Sequence, residues 1–182
     1  MPMQASVMEA ILTGMTATDD ATTHQALFAF AYSTMCATAM YGPNPVTPVI
    51  MGGLNDLKAE LAGWDEAGTA AQKIQDGIKA FWDTVDSNKL AIFPPILPGV
   101  PVPPNIPVPP PTLIKPPGLS GIKSALEEAF QANTEGKKSL ADSVKEVARV
   151  CHEKSQNGKV LWKTNLPPPA GTPVPPVPLP IS

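Results

Sequence analysis

The chain has 182 residues, of which 13 are basic and 16 acidic, giving a formal net charge of −3. This length allows one domain or two small ones, and without a basic run the sequence offers no nucleic-acid footprint. Proline is the outlier: 24 residues, where an average chain of this length has about nine. All but four of these prolines fall in two segments.

Apolar residues at helical spacing predict four helices before the first proline segment. The second helix has a clear start, because Thr18–Asp20 offers capping oxygens and carboxylates for the positive end of the helix dipole. Gly42–Pro45 ends it, and Pro48 suits the first turn of the next helix. The four helices are expected over Met3–Thr13, Asp20–Tyr41, Pro48–Trp64 and roughly 64–88.

The middle proline segment, called the proline strap below, covers residues 91–117. Pro94–Pro117 holds 12 prolines, and no charged residue lies between Leu90 and Ile114. Proline fixes φ and lacks an amide donor, so neither a helix nor a central strand is expected. The segment should be polyproline II, and 24 such residues would span about 75 Å.

A helical hairpin with a short extended end is predicted over 118–163. Asn133–Lys137 is the turn, and Ser139 should cap the second helix, with Asp142 completing a short-armed capping box. The second stripe includes Leu140, and Asn157–Lys163 is expected to form a turn and a short extended piece. Residues 164–182, the C-terminal arm, carry eight more prolines and no charge after Lys163.

The predicted fold class is therefore all-α. A helical bundle, 1–90, and the hairpin, 118–163, are joined by the proline strap and followed by the C-terminal arm, and both proline-rich segments are expected to be extended as polyproline II. The apolar stripes require burial, but the strap is long enough for the two helical parts to form either one core or two.

Catalytic and metal chemistry is not indicated. Cys36 and Cys151 lie in helical patterns with apolar neighbours, so we interpret them as reduced core residues. Neither His24 nor His152 has a second ligand at metal-binding spacing, so no metal, cofactor or catalytic residue is expected. The apolar window Ala26–Tyr41 is shorter than a membrane span, and the first residues lack the positive region of a secretory signal. A protein without a membrane partner, made in a reducing compartment, is predicted.

Aliphatic side chains fill the gaps between the prolines, unlike the polar residues of a solvated linker. We expect the proline segments to lie against protein and assign partner binding to seven of these residues: Val102, Ile106, Val108, Val174, Val177, Leu179 and Ile181. Three occupants remain open: the chain itself, a neighbouring subunit, or a proline-binding domain. Pro101–Pro104 and Pro107–Pro110 match PxxP, but only Lys115 supplies the basic residue that such domains prefer.

The order of these parts resembles a known class of protein. A bundle containing Lys79–Val85 (KAFWDTV) precedes the strap, Pro116–Leu119 (PPGL) opens the hairpin, and Cys151–His152 lies near its end. This layout resembles the small alanine- and proline-rich virion structural proteins of large contractile-tailed bacteriophages. The resemblance implies a multicopy component of the tail, baseplate, neck or capsid surface, without a cofactor.

The predicted function is that of a non-enzymatic structural component of a large assembly. A bacteriophage virion is the expected location, after synthesis in the host cytoplasm, and other virion or assembly subunits are the expected partners. The alternative is an intracellular adaptor whose proline segments recruit small peptide-binding domains.

Overall fold

The structure, a computed structural model, describes residues 3–15, 20–41, 44–45, 51–64, 67–87, 112–162 and 177–180. Within these ranges the body of the protein is all-helical, as predicted, and contains six α-helices. They are α1 (Ala5–Leu12), α2 (Ala21–Ala37), α3 (Leu54–Leu61), α4 (Ala67–Ser87), α5 (Ile122–Thr134) and α6 (Leu140–Ser155).

Two of the helices begin at the capping residues that the sequence indicates. The Asp20 carboxylate accepts the Thr23 amide at 2.7 Å, and this hydrogen bond lowers the pKa of Asp20. The Ser139 hydroxyl accepts the Asp142 amide at 3.1 Å and donates to the Asp142 carboxylate at 2.7 Å. Each cap satisfies an amide that has no partner inside its helix.

The helices contact one another in chain order, and α6 returns to α1. α4 packs against α5, so the two predicted helical parts meet directly. One continuous apolar cluster includes a buried residue from each helix: Met8, Tyr32, Leu57, Ile78, Leu126 and Val147. The sequence left open whether there are one or two cores, and the structure has one.

Helix α2 contributes seven buried residues to this core. Its buried residues point to more than one side, as its apolar circumference predicts. The Tyr32 ring meets Phe81 of α4 edge-on, with centroids 5.3 Å apart, and Phe28 meets Trp64 in the same way at 5.9 Å. These edge-to-face contacts connect α2 with α4 and with the end of the α3 segment.

Two helices depart most clearly from their predicted bounds. α2 ends at Ala37 rather than Tyr41, where the Thr38 hydroxyl donates to the Met35 carbonyl and accepts the Gln4 amide. Met40–Tyr41 (β1) then pairs with Asn44–Pro45 (β2). α3 follows a single 3₁₀ turn, Met51–Gly53, and stops before Gly63, whose φ of +76° terminates a helix. The predicted start at Pro48 lies outside the described residues.

Three further strands form a small antiparallel sheet. They are β3 (Thr112–Lys115), β4 (Lys159–Trp162) and β5 (Val177–Pro180), and β4 lies in the middle. β3 belongs to the segment for which polyproline II was predicted, but its four residues all retain an amide donor. Of the rest of the proline strap, Pro116 and Pro117 are described and 91–111 lie outside the described residues. The C-terminal arm is described only at β5.

Candidate functional site

A chain of hydrogen bonds joins three helices inside the core. The Trp82 indole of α4 donates to the Tyr32 hydroxyl of α2 at 2.8 Å. That hydroxyl also lies 2.7 Å from the hydroxyl of Ser155 at the end of α6. Tyr32 and Ser155 are fully buried, so the three polar groups satisfy one another where water does not reach them.

Both cysteines lie one helical turn from this chain: Cys36 follows Tyr32 on α2, and Cys151 precedes Ser155 on α6. They are free thiols in the core, which confirms the sequence interpretation. Burial raises the pKa of each thiol well above its usual value. Because the thiolate is the reactive form, this environment makes the cysteines packing residues rather than nucleophiles.

The two histidines interact with other residues of the chain. His152 Nε2 lies 2.7 Å from the Met3 carbonyl oxygen and 3.0 Å from Gln156 Nε2. The contact with Met3 ties α6 to the residues before α1. His24 also interacts with a neighbouring residue. No three His, Cys, Asp or Glu side chains within the described ranges are grouped to hold a metal ion.

Two of the seven residues predicted to bind a partner belong to β5. Val177 lies opposite Trp162, and Leu179 lies opposite Val160, so this part of the arm pairs with its own chain. The other five lie outside the described residues: Val102, Ile106, Val108, Val174 and Ile181.

The backbone of β5 has two chemically different edges. In an antiparallel ladder, the amide and carbonyl of one residue point to the same side, and successive residues alternate. Pro178 and Pro180 have no amide to donate, so the pairing with β4 uses the backbone groups of Val177 and Leu179. The opposite edge then presents the carbonyls of Pro178 and Pro180 and no donor from either residue.

Among the described residues of the helical body, two large apolar side chains are exposed. Phe30 of α2 is 52% exposed, and Leu140 at the start of α6 is 41% exposed. The apolar stripe of α6 includes Leu140, so the sequence predicts its burial. Phe30 was not singled out, although its helical phase places it away from Phe28 and Tyr32.

Among the described residues, no helix combines the length and apolarity needed to cross a bilayer. Comparison with protein-family models, with curated proteins and with solved structures gave no match. The resemblance to virion structural proteins therefore remains a prediction from the sequence.

Proposed function

We propose that this protein is a non-enzymatic structural subunit of a large assembly, a bacteriophage virion, and that it binds neighbouring subunits through its proline-rich arms. The helical body would provide a compact base. The C-terminal arm would provide the contact, at a site in the tail, baseplate, neck or capsid surface.

The observation that carries this proposal is the ion-free, aliphatic C-terminal arm, part of which forms the edge strand β5. Segments that remain in solvent are normally polar and charged. Residues 164–182 contain no acidic and no basic residue. Burial of one Val or Leu side chain contributes about 1.5 kcal/mol or more, so several such residues can hold an extended arm on a protein surface.

The multicopy arrangement adds to this attachment. When one contact is made, a tethered arm acts at the high effective concentration set by its tether. A few weak aliphatic contacts per copy would then produce a stable particle, without a large flat interface on the helical body.

The test compares folding with assembly for a chain whose arm has been replaced. Residues 166–182 are exchanged for a Gly/Ser segment of equal length, and the variant and the parent chain are produced together with the particle. Helicity and the urea midpoint report on folding, and sedimentation of the particle fraction reports on incorporation. We expect near-normal helicity, because the core is built from α1–α6, and loss of the variant from the particle.

Equal incorporation of the two chains would contradict the proposal. Loss of the helical fold in the variant would show that the arm serves its own chain. A control carries a Gly/Ser exchange at 135–138, in the exposed turn between α5 and α6, and should enter the particle normally.

The adaptor alternative rests on the PxxP spacing at Pro101–Pro104 and Pro107–Pro110. A peptide of residues 97–117 that binds SH3 or WW domains with micromolar affinity would favour it. We expect no such binding, since Lys115 is the peptide's only charged residue.

A further inference from the structure

We infer that the step from Asn157 to Gly158 is a site of spontaneous covalent modification, at which the asparagine side chain loses its nitrogen as ammonia. The modification alters the backbone between α6 and β4. Its chemistry needs only these two residues and water, so the site is independent of the proposed function.

The sequence sets this step apart from the other asparagines. The chain has seven asparagines, and only Asn157 is followed by glycine. The reaction requires the backbone nitrogen of the next residue to reach the asparagine side-chain carbon, and a Cβ atom on that residue hinders the approach. Asn133, inside α5, is followed by the β-branched Thr134 instead. Asn157 is therefore the asparagine with the least hindered neighbour.

The structure places the two residues where the reaction can proceed. They follow the end of α6 and directly precede β4. Asn157 is exposed and Gly158 is buried, so water reaches the step at the asparagine. Among the described residues the Gly158 amide has no backbone acceptor, unlike an amide inside a helix. Its hydrogen can be removed, and the backbone can rotate, without breaking a helical hydrogen bond.

The reaction balances without an oxidant or a cofactor. Hydroxide removes the Gly158 amide proton, and the nitrogen forms a bond to Asn157 Cγ. The bond from Cγ to Nδ2 breaks, and Nδ2 takes a proton from water and leaves as ammonia, which restores hydroxide. Water then opens the cyclic imide at either carbonyl. The product is aspartate or isoaspartate, and in isoaspartate the backbone runs through the side chain and gains a methylene group.

Both products disturb the junction of α6 with β4. Asn157 Nδ2 donates to the Glu153 carbonyl at 3.2 Å and so satisfies a carbonyl of the last helical turn. A carboxylate cannot donate, and its charge lies at the negative end of the helix dipole. Isoaspartate also lengthens the connection to Lys159, where β4 begins. Because β4 is the middle strand, we expect its pairing with β5 to weaken.

Peptide mass spectrometry of the full chain tests the inference. The protein is kept in warm, mildly alkaline buffer made with heavy-oxygen water, and peptides are analysed at intervals. We expect Asn157 to acquire labelled oxygen at least about tenfold faster than Asn133, which is hindered by its neighbour in the same molecule. The rate should rise with pH, because hydroxide starts the reaction.

Gly158→Ala is the matched variant, since it keeps the asparagine and adds only a Cβ atom to the attacking residue. It should slow the labelling of Asn157 by about tenfold or more. Circular dichroism shows whether this variant folds. If it does not, Asn157→Gln serves instead, because it keeps the amide but requires a larger ring and should also be labelled more slowly than the parent chain.

Labelling of Asn157 no faster than that of Asn133 in the parent chain would overturn the assignment, and so would equal labelling in the folded variant. Hydrogen exchange checks the effect on the sheet. In the isoaspartate fraction the amide of Val160, which lies opposite Leu179, should exchange faster than in the parent, while that of Tyr32 in α2 should not. Unchanged exchange at Val160 would refute the weakening of β4.

Discussion

The Tyr32 hydroxyl joins three helices at the centre of the core. It accepts a hydrogen bond from Trp82 and is hydrogen-bonded to the hydroxyl of Ser155, which lies 123 positions away in the chain. Ser143, near the start of α6, is also buried, but its hydroxyl has no hydrogen-bond partner among the described residues. The buried hydroxyl of Ser155 therefore has a hydrogen-bond partner, whereas that of Ser143 has none among the described residues.

Ser155→Ala and Ser143→Ala should therefore differ in their effect on the free energy of unfolding. Ser155→Ala removes a partner from the buried Tyr32 hydroxyl and should destabilise the protein by about 1–3 kcal/mol. Ser143→Ala removes an unsatisfied polar group and should be neutral or stabilising. Urea unfolding followed by circular dichroism measures both, and equal losses would contradict the assigned hydrogen bonding.

The buried tyrosine hydroxyl and cysteine thiols of the core should make the stability of the fold fall at high pH. Burial raises the pKa of Tyr32, Cys36 and Cys151 above their usual values, which are about 10 for tyrosine and about 8.5 for cysteine. Their contribution to stability is complete below the unfolded-state pKa and is lost as the pH rises toward the folded-state pKa. Each group can reduce the free energy of unfolding by up to about 1.4 kcal/mol per pH unit.

We expect stability to fall from about pH 8.5 upward, as the thiols of the unfolded chain ionise first. Urea titrations under reducing conditions between about pH 8 and 10.5 measure this slope. The double variant Cys36→Ala/Cys151→Ala should have a shallower slope at the start of that window. A slope identical to that of the parent chain would show that the two thiols do not contribute.

At the scale of elements, α3 and α4 are held together by close backbone approach. A Cβ atom at Gly53 would lie 2.7 Å from the Phe81 carbonyl oxygen and equally close to the Phe81 ring. A Cβ atom at Gly77 would lie 2.8 Å from the Leu57 side chain, whose end can move more easily. This close approach of α3 and α4 explains why both positions are glycine.

Gly53→Ala should destabilise the protein by about 1–3 kcal/mol, since the added methyl meets backbone as well as a buried ring. Gly118→Ala is the control, because a Cβ atom there meets nothing within 4 Å, and its effect should stay within about 0.5 kcal/mol. Thermal unfolding of the three proteins provides the comparison. An unchanged melting temperature for Gly53→Ala would contradict the close α3–α4 contact.

At the scale of the whole molecule, the six helices that the structure describes share a single core. α5 and α6 cover the side of the bundle formed by α4 and α1, and Ser155 supplies the partner of Tyr32. Removing the hairpin would expose apolar residues of the bundle and break the hydrogen-bond chain. The two helical parts of the sequence therefore should not fold separately.

A fragment of residues 1–90 should lack a cooperative urea transition, and adding a fragment of residues 118–182 should restore helicity. In the full chain, tryptophan fluorescence and circular dichroism should report the same midpoint, as two-state unfolding requires. Cooperative folding of the 1–90 fragment at the parent midpoint would instead indicate two independent domains.

The sequence by itself determined the local features of this protein. Helix starts at Asp20 and Ser139 could be predicted because a cap depends on residues three positions apart. The apolar stripes predicted an all-helical body for the same reason, and proline chemistry limited β5 to an edge. The aliphatic, ion-free arm, on which the candidate partner-binding site depends, is also a property of composition.

Only the tertiary structure decided which distant segments meet. The Tyr32–Ser155 hydrogen bond, the Gly53–Phe81 contact and the pairing of β4 with β3 and β5 join residues that no local pattern relates. Leu140 shows the converse, because its stripe predicts burial while its place at the start of α6, beside the turn, leaves it exposed. Periodicity fixes which face of a helix is apolar, whereas the position of the other helices fixes how much of that face is covered.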